Sequence, residues 1–410
     1  MTADVVIVGG GIAGGGLAVL LARAGLDVLV LERQERYRDR VRGEFMPPWG
    51  YQELTDAGLL DVVRQGDSVV CTSVRPYGEL IPPDAAEQNA FDLSAVLPGV
   101  PGGLALGHPD TCQALTEAAV AAGARVLRGV TAVEVHAGDR PYVRFAHGGA
   151  AREVPARLVV GADGRTSAVR RQLGIPLHHG GPRITGAGML VDGLGDWPRD
   201  VSSVGTFDDV HFLLFPRRGG RVRLYLGWDR ADPGRFAGAD GPARFLERFA
   251  TLDCLPDPAI FRKAQPSGPC AAFLFEDTWT DRPYVPGAVL VGDAAGASDP
   301  VIGLGLSITV RDVRLVEETL LGTAEWDAAM FEPYAVERAE RMRRLRVTAA
   351  VATRLRTTFT EEGRRLRAAA FARITDDPGS WQVMLAALVG PHQMPPDAFE
   401  PEAVERMLAL

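Results

Sequence analysis

The chain has 410 residues, 46% hydrophobic and 23% charged, an ordinary globular balance with enough material for two domains. A formal charge of -8 argues against a broadly basic nucleic-acid surface. No run reaches the roughly 18 uninterrupted apolar residues of a membrane span. Cys71, Cys112, Cys254 and Cys270 form no CxxC pair and no zinc-spaced cluster, so they read as reduced thiols of a cytoplasmic protein without a structural metal.

In chain order, the start MTADVVIVGGG shows no basic leader or cleavage site and predicts a strand rather than a signal peptide. DVVIVG is a β-branched apolar run, as expected of a strand buried on both faces. IAGGGLAVLLARAG predicts a helix ending at Gly25, and DVLVLER a second, parallel strand, completing a βαβ unit. From Arg42 to Val63 a loop leads into a helix, with Gly58 near its end. Residues from about 70 to 105 are irregular and rich in Pro and Gly. HPDTCQALTEAAVAAGARVL returns to helix and strand, with Asp110 or Thr111 as N-cap, and RLVVGADG is a further buried strand.

Between about 180 and 285 the pattern becomes strand-rich, with a hairpin signal at Arg217-Arg218-Gly219-Gly220. The apolar run GAVLV then leads into GDAAGASDPVIGLGLS, and after Gly305 the chain is mostly helical. The arginine run RAERMRRLRV reads as a solvated helix face. The simplest assembly is a nucleotide-binding domain from 1–70, 101–180 and 286–360, interrupted by a β-rich domain from 71–100 and 181–285. A helical region covers 361–410. This arrangement predicts a pocket between the two domains.

Gly9-x-Gly11-x-x-Gly14 lies between the first strand and helix, with Glu32 at the end of the second strand. Gly9 suits a tight turn, Gly11 lets a pyrophosphate approach the backbone, and Gly14 lets helix and strand pack closely. The helix start at Ile12 and Ala13 supplies amides for phosphate. Glu32, beside Arg33, is placed to accept hydrogen bonds from an adenosine ribose. This motif alone does not separate NAD from FAD.

DGRTSAVR (Asp163 to Arg170) resembles the DG fingerprint of the p-hydroxybenzoate-hydroxylase-like flavoprotein monooxygenases, and GDAAGASDPVIGLGLS resembles their GD motif. The three motifs stand in family order, and the resemblance covers the chain from Asp4 to about residue 350. It implies an α/β fold: a Rossmann-like FAD-binding domain interrupted by a β-sheet substrate domain, with a helical C-terminal region. It further implies that Asp293 bonds the ribityl chain of FAD. A helix beginning near Gly303 would direct the amides of Gly303, Leu304 and Gly305 to the flavin N1/O2 edge, where reduced flavin is anionic.

By the same resemblance Asp163 is tied to FAD and to NAD(P)H use, Arg170 braces its loop, and Arg42 lies near flavin and pyrophosphate. Gln113 belongs to the cofactor set, and the Pro300 backbone lies beside substrate and flavin. NAD(P)H would visit as a transient co-substrate, and O2 would react to give a flavin C4a-hydroperoxide that oxygenates an aromatic or polyketide-like molecule of specialised metabolism. The sequence departs from the family at Gly296, usually His, at Ser307, often Asn, and at His108, frequently Arg.

Pocket candidates in the β-rich segment are Phe212, Phe215, Tyr225 and Trp228, of which a sheet would present only alternate ones. His211 is either a catalytic base or a structural histidine. Two alternative activities stay open. GDAAG also resembles the geranylgeranyl-reductase branch, although its YxWxFP pattern is missing; a halogenase is disfavoured because WxWxIP is absent. A non-catalytic flavin-binding protein is disfavoured by the intact set of motifs.

Overall fold

The computed structural model describes residues 2–41, 43–195 and 197–409. The chain opens with β1 (Ala3–Val8), α1 (Ile12–Arg23) and β2 (Val28–Glu32), the βαβ unit expected from the sequence. α1 is buried along nearly its whole surface, which is why it is built of Gly, Ala, Leu and Val and has no polar face. Next come α2 (Pro48–Asp56), β3 (Ser73–Gly78), α3 (His108–Ala121), β4 (Arg125–Arg128) and β5 (Ala150–Gly161). α3 begins at His108 after Gly107, so neither Asp110 nor Thr111 caps it; Pro109, pre-set for a first turn, moves the start forward.

After α4 (Ala168–Gln172) the chain forms β6 (Ile184–Asp192), β7 (Val201–Phe207), β8 (Val210–Pro216), β9 (Val222–Asp229), β10 (Ala271–Phe275) and β11 (Ala288–Leu290). Three longer helices follow: α5 (Gly305–Leu321), α6 (Glu332–Thr357) and α7 (Glu361–Asp376).

Five strands pair in parallel in the order β4-β2-β1-β5-β11. The register places Leu31, Val8, Gly161 and Leu290 in one row. The segments that follow these residues therefore leave the sheet at the same carboxyl edge, where open parallel sheets bind their ligands. Pairing of buried strands thus gathers three motifs that are far apart in sequence.

The second sheet runs β10-β6-β9-β8-β7-β3, and β3 joins it as a parallel neighbour of β7. β8 and β9 form the expected hairpin, turned through Arg218–Gly220. Alternation along these strands divides the side chains. Phe212, Leu214, Leu224, Leu226 and Trp228 enter a core with Phe245, Phe249 and Phe261, while Phe215, Arg223 and Tyr225 lie on the other face.

The arginine run on α6 requires a correction: Arg338 is 2% exposed and Arg341 3%. Both turn inward because a fully buried carboxylate, Asp312 on α5, accepts from Arg338 Nε at 3.0 Å and from Arg341 Nη2 at 2.7 Å. The same carboxylate accepts from the amide of Gly292 at 2.9 Å. Arg338 also donates to the carbonyls of Gly292, Ala295 and Gly296. These two arginines clamp the GD loop, while Arg343 and Arg344 pair with Glu340, and counting charges could not show that an acid on the preceding helix, 26 residues before Arg338, was the partner.

Burial pushes the Asp312 carboxyl up, but the two guanidinium groups outweigh this and hold it below the usual range. Its contribution is therefore full above the ordinary carboxylate value and is lost as pH falls through the depressed one. Asp312→Ala leaves two buried cations facing each other and is expected to cost about 3–5 kcal/mol in urea unfolding. A loss under about 0.5 kcal/mol would show that the clamp is not structural.

Candidate active site

The glycines of the first motif divide by what a side chain would meet. A Cβ on Gly14 would lie 1.8 Å from the Gly9 carbonyl, and one on Gly9, at φ 105°, would lie 2.4 Å from the Ala162 carbonyl. These two are glycine for packing. A Cβ on Gly11 would meet nothing within 4 Å. Gly11 caps α1 without a side-chain bond, so the first amides of the helix, Ile12 and Ala13 among them, face this opening without intrahelical partners.

At the tip of β2 the Glu32 carboxylate, 6% exposed, accepts from the amides of Gly10 and Gln34, both at 2.7 Å. Each oxygen keeps a lone pair for a further donor. Arg33 beside it is exposed. Sequence reasoning missed Tyr37 and Arg128. The Tyr37 hydroxyl donates to the Gly10 carbonyl at 2.5 Å and lies 2.8 Å from Thr116 Oγ1; burial pushes it up to about 12. Arg128 lies 4.6 Å over the Tyr37 ring and donates to Gln113 Oε1 at 2.8 Å. Gln113 is thereby joined to the wall of this opening.

Asp163 turns back on its own loop, accepting from Ser167 Oγ and from the amides of Ala168 and Val169 at the start of α4. Arg170, 5% exposed, donates to the Ala294 carbonyl at 3.1 Å and so ties the DG loop to the GD loop. The Asp293 carboxylate, 37% exposed, lies 3.9 Å from the guanidinium of Arg165. Arg165 is a third residue that sequence reasoning missed.

Beyond Asp293, Pro300–Ile302 forms a single 3-10 turn closed by Gly303 at φ 66°, and α5 starts at Gly305 rather than at Gly303. Leu304 is fully buried, whereas a Cβ on either Gly303 or Gly305 would meet nothing within 4 Å among the described residues. The first amides of a 17-residue helix therefore open on free space. Asp299 caps the 3-10 turn, accepting from Val301 N at 2.8 Å, and its own amide donates to Asp277 Oδ1 at 2.8 Å. Burial, with the Asp277 carboxylate adding to it, pushes Asp299 up to about 7.

The segment around the RGE sequence connects this helix mouth with the second sheet. Arg42 itself lies outside the described residues. A Cβ on Gly43 would touch Leu306 of α5 at 3.2 Å, and one on Gly188 of β6 would meet Val41 at 2.5 Å. Glu44 is buried among Arg217, Arg223 and the Tyr225 hydroxyl. Phe45 stacks on Phe215 at 4.7 Å, and the series continues from Phe215 to Tyr225, Phe273 and Phe275 at 6.0, 6.1 and 5.5 Å. Glycines at 186 and 188 leave the room that these rings occupy.

Of the predicted pocket residues, Phe215 and Tyr225 share this aromatic face. Phe212 and Trp228 do not; strand alternation sends them to the opposite core, where Trp228 bonds the Asp232 carbonyl. His211 is 2% exposed, its Nδ1 3.4 Å from Thr206 Oγ1, and burial drives it down to about 3. Pro300 is half-buried at the helix mouth.

Open cradles at Gly11 and at Gly303 and Gly305, an acid at Glu32 and paired helix starts fit a long dinucleotide with a ring at its far end. Residues 2–251 match the family described as "FAD binding domain". The chain belongs to this family of FAD-dependent monooxygenases of the p-hydroxybenzoate-hydroxylase type. It is an oxidoreductase, and FAD is its cofactor.

Among solved structures it is similar to p-nitrophenol 4-monooxygenase PnpA from Pseudomonas putida DLL-E4, with a TM-score of 0.78 and 21% identity over 95% of this chain and 98% of that one. Among curated proteins it is 25% identical to digeranylgeranylglycerophospholipid reductase 2 from Methanococcoides burtonii over 309 residues, 74% of this chain and 71% of the relative. It is 24% identical to squalene monooxygenase from Rattus norvegicus over 355 residues, 80% of this chain and 57% of the relative.

The departures from the family pattern have local causes. Gly296 adopts φ 114°, and a Cβ there would lie 2.5 Å from the Thr278 carbonyl, so the usual His has no place on this backbone. Ser307 is fully buried, and its hydroxyl would lie 2.3 Å from a Cβ on Gly50 of α2. The longer Asn would press into α2.

Gly305 has no positive φ and faces open space, so Gly305→Val is expected to leave apoprotein stability within about 0.5 kcal/mol. It should weaken FAD roughly tenfold, about 1.4 kcal/mol, and lower the flavin reduction potential. Gly14→Val, by contrast, should prevent folding. Unchanged FAD affinity and potential in Gly305→Val would show that α5 does not face the flavin.

Proposed function

We propose that the protein uses NAD(P)H and O2 to oxygenate an aromatic or polyketide-like small molecule, in specialised metabolism and in the cytoplasm. The observation that carries this reading is the aromatic row from Phe215 to Phe275, joined to the mouth of α5 through Val41, Gly43 and Phe45. Such a surface suits a flat apolar substrate, because ring faces and edges pack at these spacings.

FAD, when bound, supplies the oxygen-activating redox chemistry. The chain's own residues bind, orient and exclude water. Glu32 and the amides of α1 would hold the adenosine diphosphate half, with Gln113 and Asp163 in the walls. Asp293 would hold the ribityl chain, and the amides of Leu304 and Gly305 would stabilise negative charge on the ring. Buried apolar side chains at Leu304, Ile302 and Ile308 keep water from the inner side of the helix mouth. Burial drives His211 down to about 3, which makes it too weak a base to take a proton from substrate, so this reading gives it a positioning role.

A second reading, reduction of a prenyl chain, is favoured by GDAAG at Gly292–Gly296 and by the similarity to a digeranylgeranylglycerophospholipid reductase. Product mass separates the two. Incubation of the FAD-loaded enzyme with NAD(P)H, O2 and a panel of aromatic and polyketide-like compounds should give products heavier by one oxygen, with oxygen consumption matching NAD(P)H oxidation. Products that gain only hydrogen would replace the first reading by the second.

A further inference from the structure

The geometry points to Arg356 as the residue that selects the substrate, by pairing with a carboxylate carried on an otherwise apolar molecule. This inference rests on the monooxygenase reading for its location, and its test uses binding alone.

Arg356 lies in the last turn of α6. Its Nη1 donates at 2.8 Å to the carbonyl of Val301, in the 3-10 turn that Pro300 begins. Its own carbonyl accepts from Thr206 Oγ1 at 2.7 Å, and Thr206 stands opposite His211 across β7 and β8. The guanidinium therefore sits where α6, the Pro300 turn and the second sheet meet. His211 and Phe215 are alternate residues of β8, so this corner opens on the sheet face that carries the aromatic row.

Charge balance sets this arginine apart from the paired ones around it. Arg217 pairs with Glu44 and Asp67, and Arg223 with Glu44 and Asp39. Arg311 and Arg314 pair with Glu53, and Arg338 and Arg341 with Asp312. Arg356 has no carboxylate within 4.0 Å among the described residues. Burial alone lowers it to about 10, with no acid opposing the shift. A cation taken out of water without a counter-charge is costly, and the cost is offset when an anion arrives.

The neighbouring histidine does not supply that anion. Thr206 spends its hydroxyl hydrogen on the Arg356 carbonyl, so the facing His211 Nδ1 carries the proton and Nε2 is a bare acceptor. That Nε2 has no hydrogen-bond partner among the described residues. The histidine therefore offers Arg356 neither a negative charge nor a bond, and the cation is left for a ligand anion to pair. Arg356 as a residue is half-buried, so this corner lies near the protein surface. A planar guanidinium matches a carboxylate through two parallel bonds.

The test titrates the oxidised, FAD-loaded enzyme with 1-naphthoate and with 1-naphthamide, matched in size and differing in charge, and follows the flavin absorbance. The native enzyme should bind naphthoate at least roughly tenfold more tightly than the amide. Arg356→Gln should abolish that preference and Arg356→Lys should keep part of it, both with FAD retained. Absence of naphthoate binding, equal affinity for the two probes, or a preference that survives Arg356→Gln would overturn the proposal. An enzyme that shows the preference but yields no oxygenated product refutes the monooxygenase reading and leaves the Arg356 assignment standing.

Discussion

The site depends on one buried carboxylate. Asp312 has no access to water, and two guanidinium groups and a backbone amide converge on it. Through Arg338 this pairing reaches three carbonyls of the loop that follows β11. A loop with glycines at positive φ and two short 3-10 turns has few interactions of its own, so its shape is imposed from behind. With the carbonyls drawn inward, the loop can present its carboxylate and the following helix its amides on the outer side. Arg170 completes the arrangement by fixing the DG loop to the same backbone at Ala294.

The two sheets contribute in different ways. The first gathers motifs through parallel register, and it needs only buried apolar strands to do so. The second presents one face of aromatic rings and hides another, with glycines at 186 and 188 making the rings fit. Between them Glu44 is secured to β9 by ion pairs and by the Tyr225 hydroxyl. Breaking such a cluster on one side leaves a buried charge, so its geometry is strongly specified.

Much of the fold was legible because local signals agreed with the tertiary result. The βαβ unit, the hairpin at Arg217–Gly220 and the strand-rich middle follow from periodicity and turn residues. The three motifs stand together at the carboxyl edge of the first sheet, and their glycine spacing reflects close backbone approach. What escaped was set by long-range pairing. Arg338 and Arg341 have the spacing of an exposed charged face, and only Asp312 on another helix turns them inward. Tyr37 and Arg128 carry no motif; their place comes from β4 lying beside β2. Phe212 and Trp228 were separable from Phe215 and Tyr225 only once the strand register was known.

α6 has 26 residues without a break. Its first half clamps the cofactor loop through Arg338 and Arg341, and its last turn meets the second sheet through Arg356 and Thr206. From 338 to 356 a helix extends about 27 Å at 1.5 Å per residue. One stiff strut thus braces both halves of the molecule. Moving one sheet against the other would have to break the strut or tear out a buried ion pair, and either is far costlier than moving a surface segment. The carboxyl edge of the first sheet and the aromatic face of the second are therefore spaced by the length of one helix.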